Sequence, residues 1–241
     1  MAAIVQVSQS SSPVGTNRLI DALPRRERER LLAGCERVEL RVGEVLWEFD
    51  ARIRHVYFPS QCFVSLTIPR DDRTQLEVGL IGDEGLVGFS LILGVCIAPQ
   101  RAIVQGPGAA WRMSAAAFCR EMKRSVVLRR RLNGYLYVML RQLAQTAICT
   151  HYHEMDSRLA RRLLMTGDRA HCDAFYITQA SISSMLGVRR AGVNRAAGLL
   201  QDRKLIRYSR GHLAILDRRG LRAAACTCYD ASNDGYAKIL V

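Results

Sequence analysis

The sequence is short of acidic residues. Asp and Glu total 22 against 35 Lys and Arg, a net charge of +13 over 241 residues. A chain this basic suits a polyanionic partner, either nucleic acid or an anionic membrane surface. A spanning segment is missing: the longest charge-free apolar stretch, Gly85–Ala98, falls well short of the roughly 20 residues that cross a bilayer. No basic n-region precedes an apolar core, so MAAIVQVSQSSSPVG is not a secretory signal and residues 1–16 read as a flexible tail. The eight cysteines are scattered singly apart from Cys226-Thr227-Cys228 and set no disulfide framework. A chain with its own core needs none, which points to a reducing, cytoplasmic compartment. There is also no nucleophile elbow, no phosphate-cradling glycine loop with a lysine and no HExxH. The expectation is a protein that is not an enzyme.

Hydrophobic residues make up 49% and charged residues 24%, which excludes a disordered chain and leaves room for more than one domain. Three sections follow. Residues 17–125 open with a helix at about Asn17–Gly34, carrying Leu19, Leu23 and Leu31-Leu32 on its apolar side. Short strands come next: Val38–Val42, His55–Phe58, Cys62–Ile68 and Gln75–Ile81, with Arg70-Asp71-Asp72-Arg73 as a hairpin turn. Their spacing implies an antiparallel sandwich or barrel. From Ser114 to Thr150 no proline interrupts a helical pattern. In it Leu132, Tyr135 or Leu136, Met139, Leu143, Thr146 and Cys149 recur at intervals of three and four. That stripe suits a coiled-coil seam between two copies, or a helix packed on its own domain; periodicity does not separate the two. Residues 154–241 begin with the amphipathic run Arg158–Leu164, expected to stop near Thr166-Gly167-Asp168.

The segment Ile177–Leu200 carries the functional signal. Thr178 is placed to cap a short helix, and Ile182, Met185 and Leu186 share its apolar face. Gly187 stands where that helix stops and positive φ is needed. Val188 and Val193 point into the angle with a second helix, Ser183 is small enough for a close crossing, and Leu199 and Leu200 continue the buried face. Arg189, Arg190, Asn194 and Arg195 are left exposed at the start of that second helix, the part that enters the major groove. Arginine forks match the O6 and N7 acceptors of guanine. Between Thr178 and Arg222 there are ten basic residues and two acidic ones, Asp202 and Asp217, a concentration suited to a phosphate backbone. Two further strands, Leu205–Tyr208 and His212–Leu216, joined at Ser209-Arg210-Gly211, form a wing. Thr178, Gln179, Ser181, Arg207, Arg210 and His212 are the candidate backbone contacts.

The run ITQASISSMLGVRRAGVNRAAGLLQDRKLIRYSRGHLAILDRRGL, together with the order of strands, long helix and winged helix, resembles the Crp/Fnr family of bacterial transcription regulators over nearly the whole chain. The resemblance implies an α+β fold: an N-terminal cyclic-nucleotide-binding-like β-roll, a dimerisation helix over residues 126–153 and a C-terminal winged helix-turn-helix over 154–241. It implies a homodimer on a palindromic operator of double-stranded DNA, with RNA polymerase as partner if the protein activates. It also favours Leu132, Tyr135, Leu136, Met139 and Leu143 as a dimer seam. Members of the family commonly present Arg, Glu and Arg to the bases. Arg190 and Arg195 match the arginines, but Ala191 replaces the Glu, so a carboxylate for cytosine N4 is missing. Cyclic-nucleotide binders share a Gly-Glu pair followed by Arg-Ser/Thr-Ala; here Gly88-Phe89 and Arg101-Ala102 stand at those places. Only Arg101 remains of the phosphate and ribose ligands, which disfavours cyclic AMP. Cys35, Cys62 and Cys96 are too dispersed for the N-terminal iron–sulfur cluster of other members, and the effector stays unknown.

Metal is not expected. His151 and His153, two apart on a helix, point away from each other, and Cys226-Thr227-Cys228 lacks a second pair for tetrahedral zinc. Two other readings remain: a redox-responsive regulator switched by cysteine chemistry, and a ligand-binding or interaction module without specific DNA control.

Overall fold

The computed structural model describes residues 17–69 and 75–239. The fold is α+β, with antiparallel sheets first, a long helix next and a helix-turn-helix region last. The N-terminal helix predicted over 17–34 is two pieces, α1 (Arg18–Asp21) and α2 (Arg25–Ala33). Pro24 divides them, since it cannot donate into a preceding turn. Asn17 is wholly buried: its side-chain oxygen caps Leu19 N at 3.0 Å, and its amide donates to Pro59 O and Gly85 O.

Seven strands then form two sheets. Strands β1 (Glu36–Leu40), β3 (His55–Pro59) and β7 (Gly108–Ser114) pair in the order β1-β7-β3. Strands β2 (Val45–Trp47), β4 (Phe63–Pro69), β5 (Gln75–Ile81) and β6 (Arg101–Gly106) pair in the order β2-β6-β4-β5. Every pairing is antiparallel. Strand β4 meets β5 with Pro69 opposite Gln75, as a hairpin requires; the turn expected at Arg70–Arg73 and the tail over 1–16 lie outside the described residues. Between the sheets sits a core that includes Leu40, Val56, Phe58, Val64, Leu66, Val104 and Met113, all buried.

The helical stretch from Ser114 is also two helices. Ser114 caps α3 (Ala115–Arg124) and Ser125 caps α4 (Val126–Tyr152), each hydroxyl accepting from the N–H three residues on. Leu128, Leu132, Tyr135 and Met139 of α4 are buried in the same core as the strands, and Tyr135 Oη donates to Leu86 O at 3.3 Å. The stripe assigned to a dimer seam is therefore largely internal: Leu132, Tyr135 and Met139 pack on the chain's own β-roll, with Leu136 and Leu143 half-buried. The solvent face of α4 carries another periodic set, Tyr137, Leu140, Ala144 and Ile148.

After an extended hinge at His153-Glu154, α5 (Met155–Ala170) runs past the stop expected at Thr166–Asp168. Thr166 keeps its hydroxyl satisfied inside the helix by donating to Arg162 O at 3.0 Å, and the helix ends where His171 takes φ 50°. Arg161, Arg162 and Arg169 of α5 are buried. Arg162 Nη1 lies 2.6 Å from Glu77 Oε1 on β5, and Arg169 Nη2 lies 2.6 Å from Glu84 Oε1 just beyond it. The last helix, α9 (Cys228–Ile239), follows α8 (Arg218–Ala224) and returns along α4. No helix among the described residues is long and apolar enough to cross a membrane.

Candidate nucleic-acid interface

Helix α6 (Gln179–Leu186) begins as expected: Thr178 Oγ1 accepts from Ser181 N at 3.0 Å. It ends at Gly187, whose φ of 65° lets its N–H reach back to the carbonyls of Ser183 and Ser184. The Ser183 hydroxyl donates to Val188 O and fixes the turn. Arg189, in extended conformation, is the residue preceding α7 (Arg190–Asp202) rather than part of its first turn. One face of α7, formed by Val193, Ala196, Ala197 and Leu200, is buried against Ile182, Met185, Leu159 and Leu163. Leu199 departs from expectation and stands exposed, because the buried stripe moves from Ala196 to Leu200 by a four-residue step.

The opposite face presents Arg189, Arg190, Asn194 and Arg195 to solvent, with exposed Ala191 between them. None of the four takes part in an ion pair among the described residues. Beside it, β9 (Ile206–Ser209) and β10 (His212–Ile215) pair with Ser209 opposite His212, leaving a two-residue loop. Arg210 and Gly211 both have positive φ, 49° and 85°, the signature of a type I′ turn that matches strand twist. The wing's third strand is β8 (Ala174–Tyr176), which sequence reasoning missed because only three residues carry it. Tyr208 Oη donates to Ile177 O at 2.8 Å and ties the wing to α6. Arg207, Arg210 and His212 are exposed there, His212 edge-on to Tyr176. Of the other candidate backbone contacts, Gln179 is exposed, while Thr178 and Ser181 bond each other through their hydroxyls at 2.9 Å.

The effector-pocket candidates are brought near one another but not into an open site. Gly88, at φ 97°, lies against Val56 and Trp47, and Ala102 is buried opposite Trp47 across the β2–β6 ladder. Trp47 therefore bridges the two segments, its Nε1 donating to Gln100 O at 3.1 Å. Phe89 is half-buried at the start of a short 3-10 helix, and Arg101 Nε pairs with Glu48 Oε2 at 2.9 Å.

A third group is not visible as one in the sequence. Cys149 and His153 lie one turn apart at the end of α4, and the α8–α9 junction brings Cys226 and Cys228 onto them. Cys149 Sγ is 3.5 Å from Cys226 Sγ, and Cys228 Sγ is 3.3 Å from His153 Nδ1. The second pair that Cys226-Thr227-Cys228 lacks locally is thus supplied from more than 70 residues away. His151, the other imidazole of this stretch, turns aside to stack edge-on with Tyr152. The hydrogen bond from Cys226, with His153 and the Arg161 guanidinium adding to it, holds the Cys149 thiol below the ordinary thiol range.

Antiparallel sheets, a long helix and a winged helix-turn-helix with a bare basic face make up the architecture. Residues 157–224 match the family model of the Crp-like helix-turn-helix domain. No curated protein matches the sequence. Among solved structures, FixK2 from Bradyrhizobium japonicum superposes with a TM-score of 0.68 at 15% identity, over 80% of this chain and 98% of its own. The c-di-GMP responsive global regulator CLP of Xanthomonas campestris gives 0.66 at 14% identity, over 80% and 99%. A CRP-family transcriptional regulator from Thermus thermophilus gives 0.65 at 15% identity, over 78% and 96%. At these identities the likeness is one of fold.

Proposed function

We propose that this protein is a homodimeric, sequence-specific DNA-binding transcription regulator whose two α7 helices enter successive major grooves of a palindromic operator. The observation that carries the reading is the face of α7. Its apolar half is buried, while Arg190, Asn194 and Arg195 are exposed and held by no acidic partner among the described residues. Arg190 and Arg195 read base edges, Arg189 and Asn194 flank them, and Arg207, Arg210, His212 and Gln179 contact phosphates. Selection of bound DNA from a random pool tests this directly. The expected outcome is a palindrome with half-sites about one helical turn apart. Binding that shows no motif and fades uniformly with salt instead defines a sequence-indifferent DNA binder.

The dimer seam in this reading is the solvent face of α4, where Leu140 is 65% and Tyr137 52% exposed. Tyr137, Leu140, Ala144 and Ile148 repeat at intervals of three and four, which suits two parallel or crossing helices. Leu140→Glu is expected to shift the protein from dimer to monomer in sedimentation velocity while leaving the far-UV spectrum intact, since Leu140 is mostly exposed. A dimer unaffected by Leu140→Glu places the seam elsewhere. The ion pairs from β5 to α5 support gating by the β-roll: a change in the sheet alters the pose of the DNA-binding unit without passing through α4.

A further inference from the structure

We propose that Cys149, His153, Cys226 and Cys228 form a binding site for a single zinc-class divalent cation, apart from the DNA-reading surface and independent of that reading. One ligand atom from each residue lies within 4.8 Å of all the others. Tetrahedral zinc with bonds of about 2.3 Å to sulfur and about 2.0 Å to nitrogen sets neighbouring ligand atoms about 3.5 to 3.8 Å apart. The observed 3.5 Å between Cys149 and Cys226 and 3.3 Å between Cys228 and His153 need only small adjustments to meet that geometry. A cluster of several irons holds its thiolates farther apart than this group. Three thiolates and one imidazole, with no position left for water, make a closed site of the structural type.

Two surrounding groups fit the same assignment. Gln145 Nε2 donates to Cys228 Sγ at 2.8 Å, a bond that orients and stabilises a thiolate. Arg161 is the charge partner. It is 7% exposed, its Nη2 donates to the neutral Ser232 hydroxyl, and its Nε, like those of Arg162 and Arg169, has no hydrogen-bond partner among the described residues. No carboxylate pairs with it there, unlike Arg162 and Arg169 on the same helix. A buried guanidinium requires an anion. A dication held by three thiolates and a neutral imidazole carries one net negative charge, which Arg161 balances. Cys149, Cys226 and Cys228 are buried while His153 is half-buried, so the imidazole side is the way in for the ion. Once bound, the ion fastens the end of α4 to the α8–α9 junction across the His153-Glu154 hinge.

The full chain, purified under reductant and dialysed against a chelator, is titrated with Co2+ alone and then with Zn2+. The expected result is a thiolate-to-cobalt charge-transfer band with intense visible d–d absorption, complete at one equivalent and abolished by zinc. Cys226→Ala and His153→Ala lose or redraw that spectrum, and Gln145→Ala weakens cobalt binding by about 10- to 100-fold. Cys172→Ser, a thiol outside the group, titrates like the parent. Because a ligand variant can misfold, the parent titration decides by itself. No charge-transfer band at one equivalent overturns the assignment, as does a Cys149–Cys226 disulfide that persists under reductant. Bands unchanged in Cys226→Ala overturn it as well.

Discussion

Arg190→Ala and Arg195→Ala are each expected to weaken binding to the selected operator by roughly 30-fold to 10⁴-fold while leaving binding to random DNA almost unchanged. A bidentate arginine–guanine contact discriminates by about 1–3 kcal/mol. A dimer makes each contact twice, so one substitution removes about 2–6 kcal/mol, with tenfold in affinity for every 1.4 kcal/mol. The fold is not the reason for the loss, because both side chains are exposed and make no ion pair among the described residues. The wing provides the contrast. Arg207→Ala and Arg210→Ala lower affinity for all sequences alike and reduce the salt slope by about one for each phosphate no longer neutralised. Competition of labelled operator against random duplex, repeated across salt concentrations, separates the two classes. Equal weakening on operator and random DNA for Arg190→Ala would remove it from base readout.

Glu77→Ala is expected to be strongly destabilising. Its carboxylate lies 2.6 Å from Arg162, with both side chains buried. Burial pushes the Glu77 carboxyl up and the Arg162 guanidinium down, so each tolerates its charge only because the other is present. Removing one partner strands the other and costs about 3–5 kcal/mol. At about 2–4 °C per kcal/mol for a chain of this size, the melting temperature falls by roughly 6 to 20 °C. Glu77→Leu combined with Arg162→Met leaves no orphaned charge and recovers most of the loss, because apolar replacement of a buried pair is often neutral. Equal melting temperatures for the single and the double variant would show that the pair does not couple β5 to α5.

Strands β4 and β5 were legible because apolar runs of strand length flanking a turn signal are local features. Helix α6, its Gly187 stop and the bare arginines of α7 were legible for a similar reason: capping, a left-handed turn and a one-sided apolar stripe are all local. What failed was whatever depended on a neighbour. Periodicity along α4 identified Leu132, Tyr135 and Met139 as one face, but the same helix offers a second periodic face through Tyr137, Leu140 and Ile148. Nothing in the spacing says which face meets the β-roll. The break at Ser125 carries neither proline nor glycine, and only the two serine caps betray it. Arg161 and Arg162 read as the wet side of an amphipathic helix, yet Glu77 lies across from Arg162 and draws that side into the protein. The thiols of Cys149 and Cys226 meet only because α9 turns back along α4, an event of tertiary packing.

The three buried arginines of α5 face three different neighbours. Arg162 meets the β4–β5 hairpin, Arg169 the segment after it and Arg161 the C-terminal helix through Ser232. A charge that cannot reach water finds its counterpart or stays where it is, so α5 cannot slide or roll by small amounts. Like the three teeth of a key, the contacts would all have to lift together for α5 to change its seating against the sheet. Under the proposed gating, a displacement of the sheet acts on α5 as a whole rather than on one contact at a time.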